Sequence, residues 1–433
     1  MGKKKAKIAE LKAKIRLLKA DLAAAQTHTG GVSPLAPSVF PDLPRIGGVR
    51  FATVAAGVKY ADRDDVMLAE LTSGSAIAGV FTRSATRSAP VLDCQAKIGG
   101  SSDEGAAIIV NSGNANAFTG RNGTEATAIV TKAVAKALSL PEMRIFSAST
   151  GVIGEPLPHG RMTAKIAELQ DKLSADDIAS AAKAIMTTDT FPKGAGAEVS
   201  IGGKTVRIAG FAKGSGMIAP DMATMLSYVF TDAVLDQVEL QAMLESLADT
   251  TFNAITVDSD TSTSDTLMVA ATGASGVDVT GSEAFRDAMH GILRDLAHQV
   301  VRDGEGATKF VAVQVSGAAD NADAKRAARA IADSPLVKTA VAGEDPNWGR
   351  VVMALGKSGA KADRDRVAIR FGPHPVAENG WVSPDYSEGA AAAYMKNAEL
   401  EITVDLGLGT GEATIWTCDL THGYISINAD YRS

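Results

Sequence analysis

Helical and strand-like hydrophobic patterns alternate along this chain from about residue 47 to its end, with no internal repeat. Apolar residues follow the 3.6-residue period of a helix over residues 124–138, while the short apolar run 107–110 has the character of a strand. Such alternation predicts a mixed α/β or α+β enzyme, although it does not order the strands. Ser174 and Asp177 form a capping-box pattern ahead of a helix that runs to Ile185. Further helices are predicted at residues 235–247, 282–301 and 322–332, and further strands at 267–271, 310–315, 367–371, 401–404 and 413–416.

Composition and charge exclude several classes of protein. The 433 residues are 45% hydrophobic and 21% charged, as in a globular chain of about two domains, and no apolar run is long enough to span a membrane. The net charge of −7 argues against a nucleic-acid binder that acts through bulk positive charge. Cys94 and Cys418 form no disulfide framework, so we expect a cytoplasmic protein. The six histidines show no ligand spacing, and we expect no catalytic metal.

The first 46 residues differ from the rest. Residues 1–30 form a Lys-rich leader in which apolar residues from Ile8 to Leu22 are spaced by three and four, the pattern of a short coiled coil. About three heptads are marginal alone, so a solvated, partly frayed helix explains the pattern equally well. Residues 31–46 are rich in proline and predict a linker, and the folded enzyme is expected to begin near Gly47.

The most unusual run is KGSGMIAPDMATML at residues 213–226. Its glycines permit a sharp turn, and Thr224 opens a strand-like stretch. A threonine hydroxyl becomes an effective nucleophile only when a base lies beside it. If the chain is cut just before Thr224, the freed α-amine, with a pKa of about 8, is such a base. From the residues alone this is one option, because most glycine-containing runs of this kind are simply loops.

This run resembles the self-processing segment of the ornithine acetyltransferase (glutamate N-acetyltransferase) family of arginine biosynthesis. Other blocks similar to that family occur in its order, and together they cover about residue 47 to the C-terminus. One Gly-Ser-Gly is a weak signal, whereas the ordered set is specific. The leader is the main departure from the family pattern. The blocks lie at residues 55–59, 111–116, 149–154, 186–190, 258–266, 305–309, 343–350 and 427–433.

The resemblance implies a fold and an activity. The fold is expected to be α+β, a layered αββα sandwich like that of N-terminal-nucleophile enzymes. The precursor is expected to cleave itself between Ala223 and Thr224 into products of 223 and 210 residues. The folded part of the first product is expected at residues 47–223 and the second product is residues 224–433, with two copies of each in the assembled enzyme. Thr224 would then pass the acetyl group of N2-acetyl-L-ornithine to L-glutamate in a ping-pong cycle. No cofactor is expected, although some family members also accept acetyl-CoA as a donor.

The family's site residues carry over onto matching positions. Thr150, through its hydroxyl, and Gly151, through its backbone N–H, would form the oxyanion hole that stabilises charge on the acetyl oxygen. Lys213 would face the substrate carboxylate and Glu305 its ammonium group. The remaining substrate contacts would be Thr187, Asn428 and the C-terminal Ser433.

Two other functions stay open at this point. The same nucleophile with water as acceptor would make an aminopeptidase or amide hydrolase, and the family shares its fold with such enzymes. A non-catalytic assembly protein is suggested by the leader's heptads alone. Lys213, Glu305 and the C-terminal pattern favour the transferase, because paired charges suit amino-acid substrates. No residue decides whether acetyl-CoA also serves as a donor.

Overall fold

The computed structural model of the protein describes residues 31–100, 103–219 and 225–429, which form three β-sheets and their covering helices. The leader at residues 1–30, and with it the coiled-coil prediction, lies outside the described residues. Within the described ranges no helix is long and apolar enough to cross a membrane.

Strands and helices are mixed along the chain, as the hydrophobic pattern predicts. The strands are β1 (Val49–Val54), β2 (Val66–Leu71), β3 (Ala76–Phe81), β4 (Ala106–Asn114), β5 (Ile145–Val152), β6 (Lys193–Ile201), β7 (Lys204–Lys213), β8 (Leu226–Thr231), β9 (Thr266–Ala271), β10 (Phe310–Ala318), β11 (Ala368–Phe371), β12 (His374–Glu378), β13 (Trp381–Val382), β14 (Glu399–Asp405) and β15 (Gly411–Cys418). The α-helices are α1 (Ala89–Lys97), α2 (Gly120–Leu138), α3 (His159–Thr163), α4 (Ile166–Asp171), α5 (Ile178–Ala184), α6 (Gln237–Asp249), α7 (Glu283–Arg302), α8 (Asn321–Ala332), α9 (Pro335–Ala342), α10 (Trp348–Gly356), α11 (Glu388–Tyr394) and α12 (His422–Ala429).

Two of the sheets pack face to face. The first has four strands in the order β1-β2-β4-β5, and the second has five in the order β3-β9-β8-β7-β6. Between them lies an apolar core in which Phe51 of the first sheet meets Phe230 of the second edge to face, with ring centroids 5.1 Å apart. Because successive side chains of a strand point to opposite faces, each sheet also has an outer apolar face that must be covered.

Helices cover both outer faces. Val134 of α2 and Leu169 of α4 pack on the first sheet. Leu244 of α6 and Leu293 of α7 pack on the second. The layers therefore run helix, sheet, sheet, helix, and the predicted αββα sandwich is confirmed.

A third sheet of six strands, in the order β13-β12-β11-β14-β10-β15, lies beside the sandwich. Helices α8, α9 and α10 cover one of its faces, and Trp416 of β15 packs against both this core and that of the second sheet. Strand β10 follows a loop that holds Glu305, and β15 leads into α12, which holds Asn428. Segments joined to the third sheet thus place two predicted site residues, Glu305 and Asn428, beside the sandwich.

The capping-box prediction at Ser174 and Asp177 is wrong. Helix α5 begins after Asp177, whose side chain makes no capping hydrogen bond. Ser174 instead exchanges backbone hydrogen bonds with Phe51 of β1, with N···O distances of 2.8 and 2.9 Å. A pairing with a distant strand thereby overrides a local capping pattern.

Residues 31–46 hold no helix or strand, yet they pack onto the folded core. Leu35 contacts the core of the second sheet, while Phe40 and Leu43 pack against the core between the sheets. The Ser33 hydroxyl donates to the carbonyl oxygen of Arg302 at 2.6 Å. The packed part of the chain therefore begins before Gly47, because an irregular segment can bury apolar side chains without a periodic pattern.

Candidate active site

Six of the predicted site residues line one cavity of about 340 Å³. They are far apart in the sequence, and strands β5 and β7, the loops before β6 and β10, and helix α12 bring them together. The six are Thr150, Gly151, Thr187, Lys213, Glu305 and Asn428.

Three other predicted residues, Ala223, Thr224 and Ser433, lie outside the described residues. The residue after Thr224, Met225, lines the cavity, and Leu226 pairs with Lys213 where the ends of β8 and β7 meet. A single peptide bond therefore joins the predicted nucleophile to the cavity wall.

Thr150 and Gly151 lie at the end of β5, where its pairing with β4 becomes irregular. Gly151 has a φ of 133°, a conformation that glycine adopts without strain. A Cβ atom there would lie 2.2 Å from the carbonyl carbon of Gly113, so a larger residue does not fit without a shift of the backbone. The close approach of the two strands sets this backbone segment in the cavity wall beside the Thr150 hydroxyl.

Lys213 ends β7 and is only 8% exposed. Its Nζ donates to Oγ1 of Thr150 at 3.3 Å and lies 4.0 Å from Oδ2 of Asp189. Burial lowers the pKa of Lys213 below its ordinary value, although the Asp189 carboxylate acts in the opposite direction. A buried ammonium whose carboxylate partner is this distant is suited to bind an anionic ligand group.

A buried ion cluster lies behind Lys213. The Asp189 carboxylate accepts hydrogen bonds from Lys193 Nζ at 2.7 Å and from the Gly214 N–H at 2.6 Å. Lys193 also donates to Asp303 at 2.6 Å. Burial favours a higher pKa for Asp189, but the ammonium groups of Lys193 and Lys213 outweigh it and hold the pKa below its usual range. The ionised cluster fixes the turn at Gly214, which leads from β7 toward the predicted cleavage segment.

Glu305 is held on the other side of that turn. Its N–H donates to the carbonyl oxygen of Ser215 at 2.8 Å, and Nδ2 of Asn428 donates to its Oε2 at 2.7 Å. Burial raises the pKa of Glu305, against the hydrogen bonds from Asn428 and Thr188. A Cβ atom on Gly216 would lie 2.3 Å from the carboxylate, so this glycine leaves the space that Glu305 occupies.

Sequence reasoning missed three aspartates around the cavity. Asp189 belongs to the buried cluster, and Asp265 lines the cavity itself. Asp258 accepts the N–H groups of Met217 at 2.6 Å and Ile218 at 2.8 Å, which anchors the glycine-containing turn. All three lie inside family-like blocks, but no spacing rule shows that these side chains reach across the fold.

The described ranges contain neither a cluster of metal-ligand side chains nor a cysteine beside the cavity. No group of three His, Cys, Asp or Glu side chains there lies close enough to hold a metal ion. Cys94 and Cys418 are free and buried, and burial raises the pKa of their thiols to about 12 and about 11. At neutral pH these thiols stay protonated, and neither lines the cavity.

The described wall of the cavity thus combines the buried ammonium of Lys213, the carboxylate of Glu305 and the hydroxyl of Thr150. The αββα sandwich that holds this cavity is the layering expected from the resemblance to N-terminal-nucleophile enzymes.

Comparison with known proteins identifies the family. The ArgJ family matches residues 50–433. The chain is 67% identical over 402 residues to the arginine biosynthesis bifunctional protein ArgJ of Ruegeria pomeroyi, covering 93% of this chain and 98% of that protein. It is 55% identical over 411 residues to the protein of the same name from Agrobacterium fabrum, covering 93% and 99%. The crystal structure of arginine biosynthesis bifunctional protein ArgJ from Bacillus halodurans is 40% identical, with a TM-score of 0.45, covering 47% of this chain and 97% of that one.

The chain therefore belongs to the ArgJ family, and it is an acetyltransferase of arginine biosynthesis. The family and the acetyltransferase activity predicted from the ordered motifs are confirmed.

Proposed function

We propose that the chain cleaves itself between Ala223 and Thr224, and that the freed Thr224 carries the acetyl group of N2-acetyl-L-ornithine to L-glutamate. One observation carries the proposal: a single cavity gathers the predicted oxyanion and charged residues directly beside Met225, the residue that follows Thr224.

Cleavage prepares the nucleophile. The Thr224 hydroxyl attacks the carbonyl of Ala223 and the peptide C–N bond breaks, so the acyl group passes from nitrogen to oxygen and the Thr224 α-amine is freed with the hydroxyl proton. Water then hydrolyses the ester, which releases the Ala223 carboxylate and restores the Thr224 hydroxyl. Two hydrogen bonds fix the turn that precedes the cleavage segment. The Asp189 carboxylate accepts from the Gly214 N–H, and the Asp258 carboxylate accepts from the Met217 N–H.

Acetyl transfer then proceeds in two halves. The α-amine takes the hydroxyl proton while Oγ of Thr224 attacks the acetyl carbonyl. Thr150 Oγ1 and the Gly151 N–H stabilise the negative charge on the acetyl oxygen, and such donors contribute about 3–4 kcal/mol each. Collapse of the tetrahedral intermediate releases ornithine and leaves an acetyl ester on Thr224, which the α-amine of glutamate then attacks.

The charges of the cavity fit the substrates. N-acetylornithine carries one carboxylate and one ammonium group, and the proposed partners are Lys213 for the carboxylate and Glu305 for the ammonium. Both side chains line the same small cavity, and each is 8% exposed, so water screens them weakly. Thr187, Asn428 and Ser433 complete the proposed substrate contacts.

The proposed enzyme contains two copies of the chain that ends at Ala223 and two copies of the chain of residues 224–433. Strand β7 of the first chain pairs with β8 of the second from Ile208↔Thr231 to Lys213↔Leu226, which supports their association after cleavage. A cytoplasmic location is part of the same proposal, because the free, buried Cys94 and Cys418 suit a reducing compartment.

We further propose acetyl-CoA as a second acetyl donor and no bound cofactor. The relatives from Ruegeria and Agrobacterium carry the word bifunctional in their names, which supports a second activity. Purified enzyme given acetyl-CoA and glutamate should release free thiol and N-acetylglutamate. Activity with N-acetylornithine but none with acetyl-CoA would restrict the enzyme to one donor.

A single-turnover experiment tests the transfer. Enzyme mixed with N-acetylornithine alone should release about one equivalent of ornithine and then nearly stop, because the acetyl-enzyme lacks an acceptor. Added glutamate should restart turnover, yield N-acetylglutamate and give parallel double-reciprocal plots. Free acetate that forms at an undiminished rate without glutamate would show a hydrolase instead.

A further inference from the structure

The cavity suits an amino-acid substrate in size, whereas acetyl-CoA, the second donor proposed above, is much larger. The cavity volume is about 340 Å³. Coenzyme A brings a long pantetheine arm, an adenosine and three phosphate groups. When the acetyl group lies in the cavity, the phosphate groups therefore lie beyond its rim, where cationic side chains are needed to bind them.

One loop beside the cavity has the charge for this role. The loop that joins β3 to α1, residues 82–88, has the sequence TRSATRS. Both of its arginines, Arg83 and Arg87, are exposed. Residues 71–92 contain no aspartate or glutamate, in a chain whose net charge is −7. Loop 82–88 is therefore a local positive surface on an acidic protein.

Both ends of this loop are hydrogen-bonded to the cavity wall. The Thr82 hydroxyl donates to the carbonyl oxygen of Ser262 at 2.8 Å, and the Thr82 N–H donates to that of Asp265 at 3.0 Å. At the other end, the Ser88 N–H donates to the carbonyl oxygen of Thr263 at 2.8 Å. Ser262, Thr263 and Asp265 all line the cavity. The two arginines are the chain neighbours of Thr82 and Ser88, so their backbones lie next to the wall.

Hydrogen bonds within the loop hold its shape. The Ser84 N–H donates to Oγ1 of Thr82 at 3.1 Å, and the Thr86 N–H donates to Oγ of Ser84 at 3.2 Å. Arg87 donates one hydrogen bond to Oε1 of Gln95 on α1 at 3.3 Å. A guanidinium group has five N–H donors, so this bond leaves others for a ligand. A loop that is already ordered loses little further freedom when it binds.

We propose that loop 82–88 binds the phosphate groups of acetyl-CoA through Arg83 and Arg87 while the acetyl group lies in the cavity. The inference rests on the proposed use of acetyl-CoA as a donor. Guanidinium groups match phosphate oxygens in geometry as well as in charge. N-acetylornithine has no phosphate group, so the loop serves one of the two donors only.

A further arginine near the cavity has surroundings that do not suit a phosphate. Nη2 of Arg63 donates to the carbonyl oxygen of Met186 at 2.5 Å, next to Thr187 of the cavity wall. Residues 60–65, however, include three aspartates with this one arginine. Like charges repel, so this acidic segment disfavours a polyphosphate, and the comparison favours loop 82–88.

A variant that combines Arg83→Ala with Arg87→Ala tests the proposal. Its KM for acetyl-CoA should rise about fivefold or more, because charge-assisted bonds to phosphate are lost. Its KM for N-acetylornithine should change by less than about twofold, because that donor offers the arginines no phosphate. Added salt should raise the KM of the wild type for acetyl-CoA and should have less effect on the variant, because salt screens exposed charges.

Two other variants serve as controls. Replacing both arginines by lysine keeps the charge and should recover part of the affinity for acetyl-CoA. Arg364→Ala removes an exposed arginine from the loop before β11 and should leave both KM values unchanged. An unchanged KM for acetyl-CoA in the double alanine variant would overturn the proposal. An equal rise for both donors would also overturn it, by assigning the loop to the shape of the cavity wall.

If the double alanine variant does not fold or cleave, the wild-type enzyme decides the question. Coenzyme A should protect Arg83 and Arg87 from modification by phenylglyoxal, followed by mass spectrometry, whereas N-acetylornithine should not. Modification at the same rate with and without coenzyme A would overturn the proposal. Failure of the proposed second donor would look different, because the wild type would release no free thiol from acetyl-CoA, and this binding site would be refuted with it.

Discussion

At the scale of single residues, the cavity is defined by a pair of opposite charges that do not neutralise each other. Lys213 has its carboxylate neighbour Asp189 at 4.0 Å, and Glu305 accepts from the neutral amide of Asn428 at 2.7 Å. Both charges are therefore available to a ligand that brings its own carboxylate and ammonium.

Replacing Lys213 should weaken the use of substrate. In Lys213→Ala we expect kcat/KM for N-acetylornithine to fall about 10- to 100-fold, because a charge-assisted hydrogen bond contributes about 1.5–3 kcal/mol. Steady-state kinetics measures this, and electrophoresis must show separately that the chain is still cleaved, since Lys213 lies close to the cut. Lys204→Ala, at the exposed start of the same strand, is the control. A change within about twofold in fully cleaved enzyme would remove Lys213 from the substrate site.

Glu305 should give substrate binding a pH dependence. Burial raises its pKa, so as the pH falls the carboxylate takes a proton earlier than an ordinary glutamate does and loses its attraction for an ammonium. KM for N-acetylornithine should therefore rise on the acid side, and Glu305→Gln should have a high KM without that rise. The exposed Glu142→Gln serves as control. An acid-side rise in KM that persists in Glu305→Gln would assign it to another group.

At the scale of elements, the buried ion cluster joins the first residue of β6 to the end of α7. Lys193 and Asp303 are inaccessible to solvent, and burial raises the pKa of Asp303, against the charge of Lys193. In Asp303→Ala the Lys193 ammonium loses one of its two carboxylates, and breaking such a buried pair costs about 3–5 kcal/mol. Urea unfolding should show a loss of this size. Glu168→Ala, which removes an exposed ion-pair partner on α4, should cause a small change, and an equal effect would refute the role of the cluster.

Sequence predicted the elements better than the contacts between them. Helix α7 was expected at residues 282–301 and runs Glu283–Arg302, because its apolar periodicity and the Ser282 cap are local signals. The order of the strands is set by pairings such as β8 with β9, which no local signal encodes. For the same reason the sequence did not identify Asp189 and Asp265, because only the packing of distant elements brings Asp189 beside Lys213 and Asp265 into the cavity wall. The ordered motifs did select six of the residues that line the cavity.

At the scale of the whole molecule, the predicted cleavage site lies between two strands that are hydrogen-bonded neighbours. In the second sheet, β3, β6 and β7 precede the site, whereas β8 and β9 follow it. Strands β9 and β8, which follow the cut, lie between β3 and β7, which precede it, so both pieces contribute to one sheet and share its two cores. Separating the two pieces would expose both cores to water, which is strongly unfavourable.

The purified protein should therefore behave as two chains that remain together. Denaturing electrophoresis should show two fragments, and N-terminal sequencing of the second should begin Thr-Met-Leu, whereas native size exclusion should give one peak that contains both. Thr224→Ala should stay a single inactive chain, because the attacking hydroxyl is absent. Cleavage of that variant at the same bond would exclude the Thr224 mechanism. Fragments that separate without denaturant would contradict the association expected from the pairing of β7 with β8.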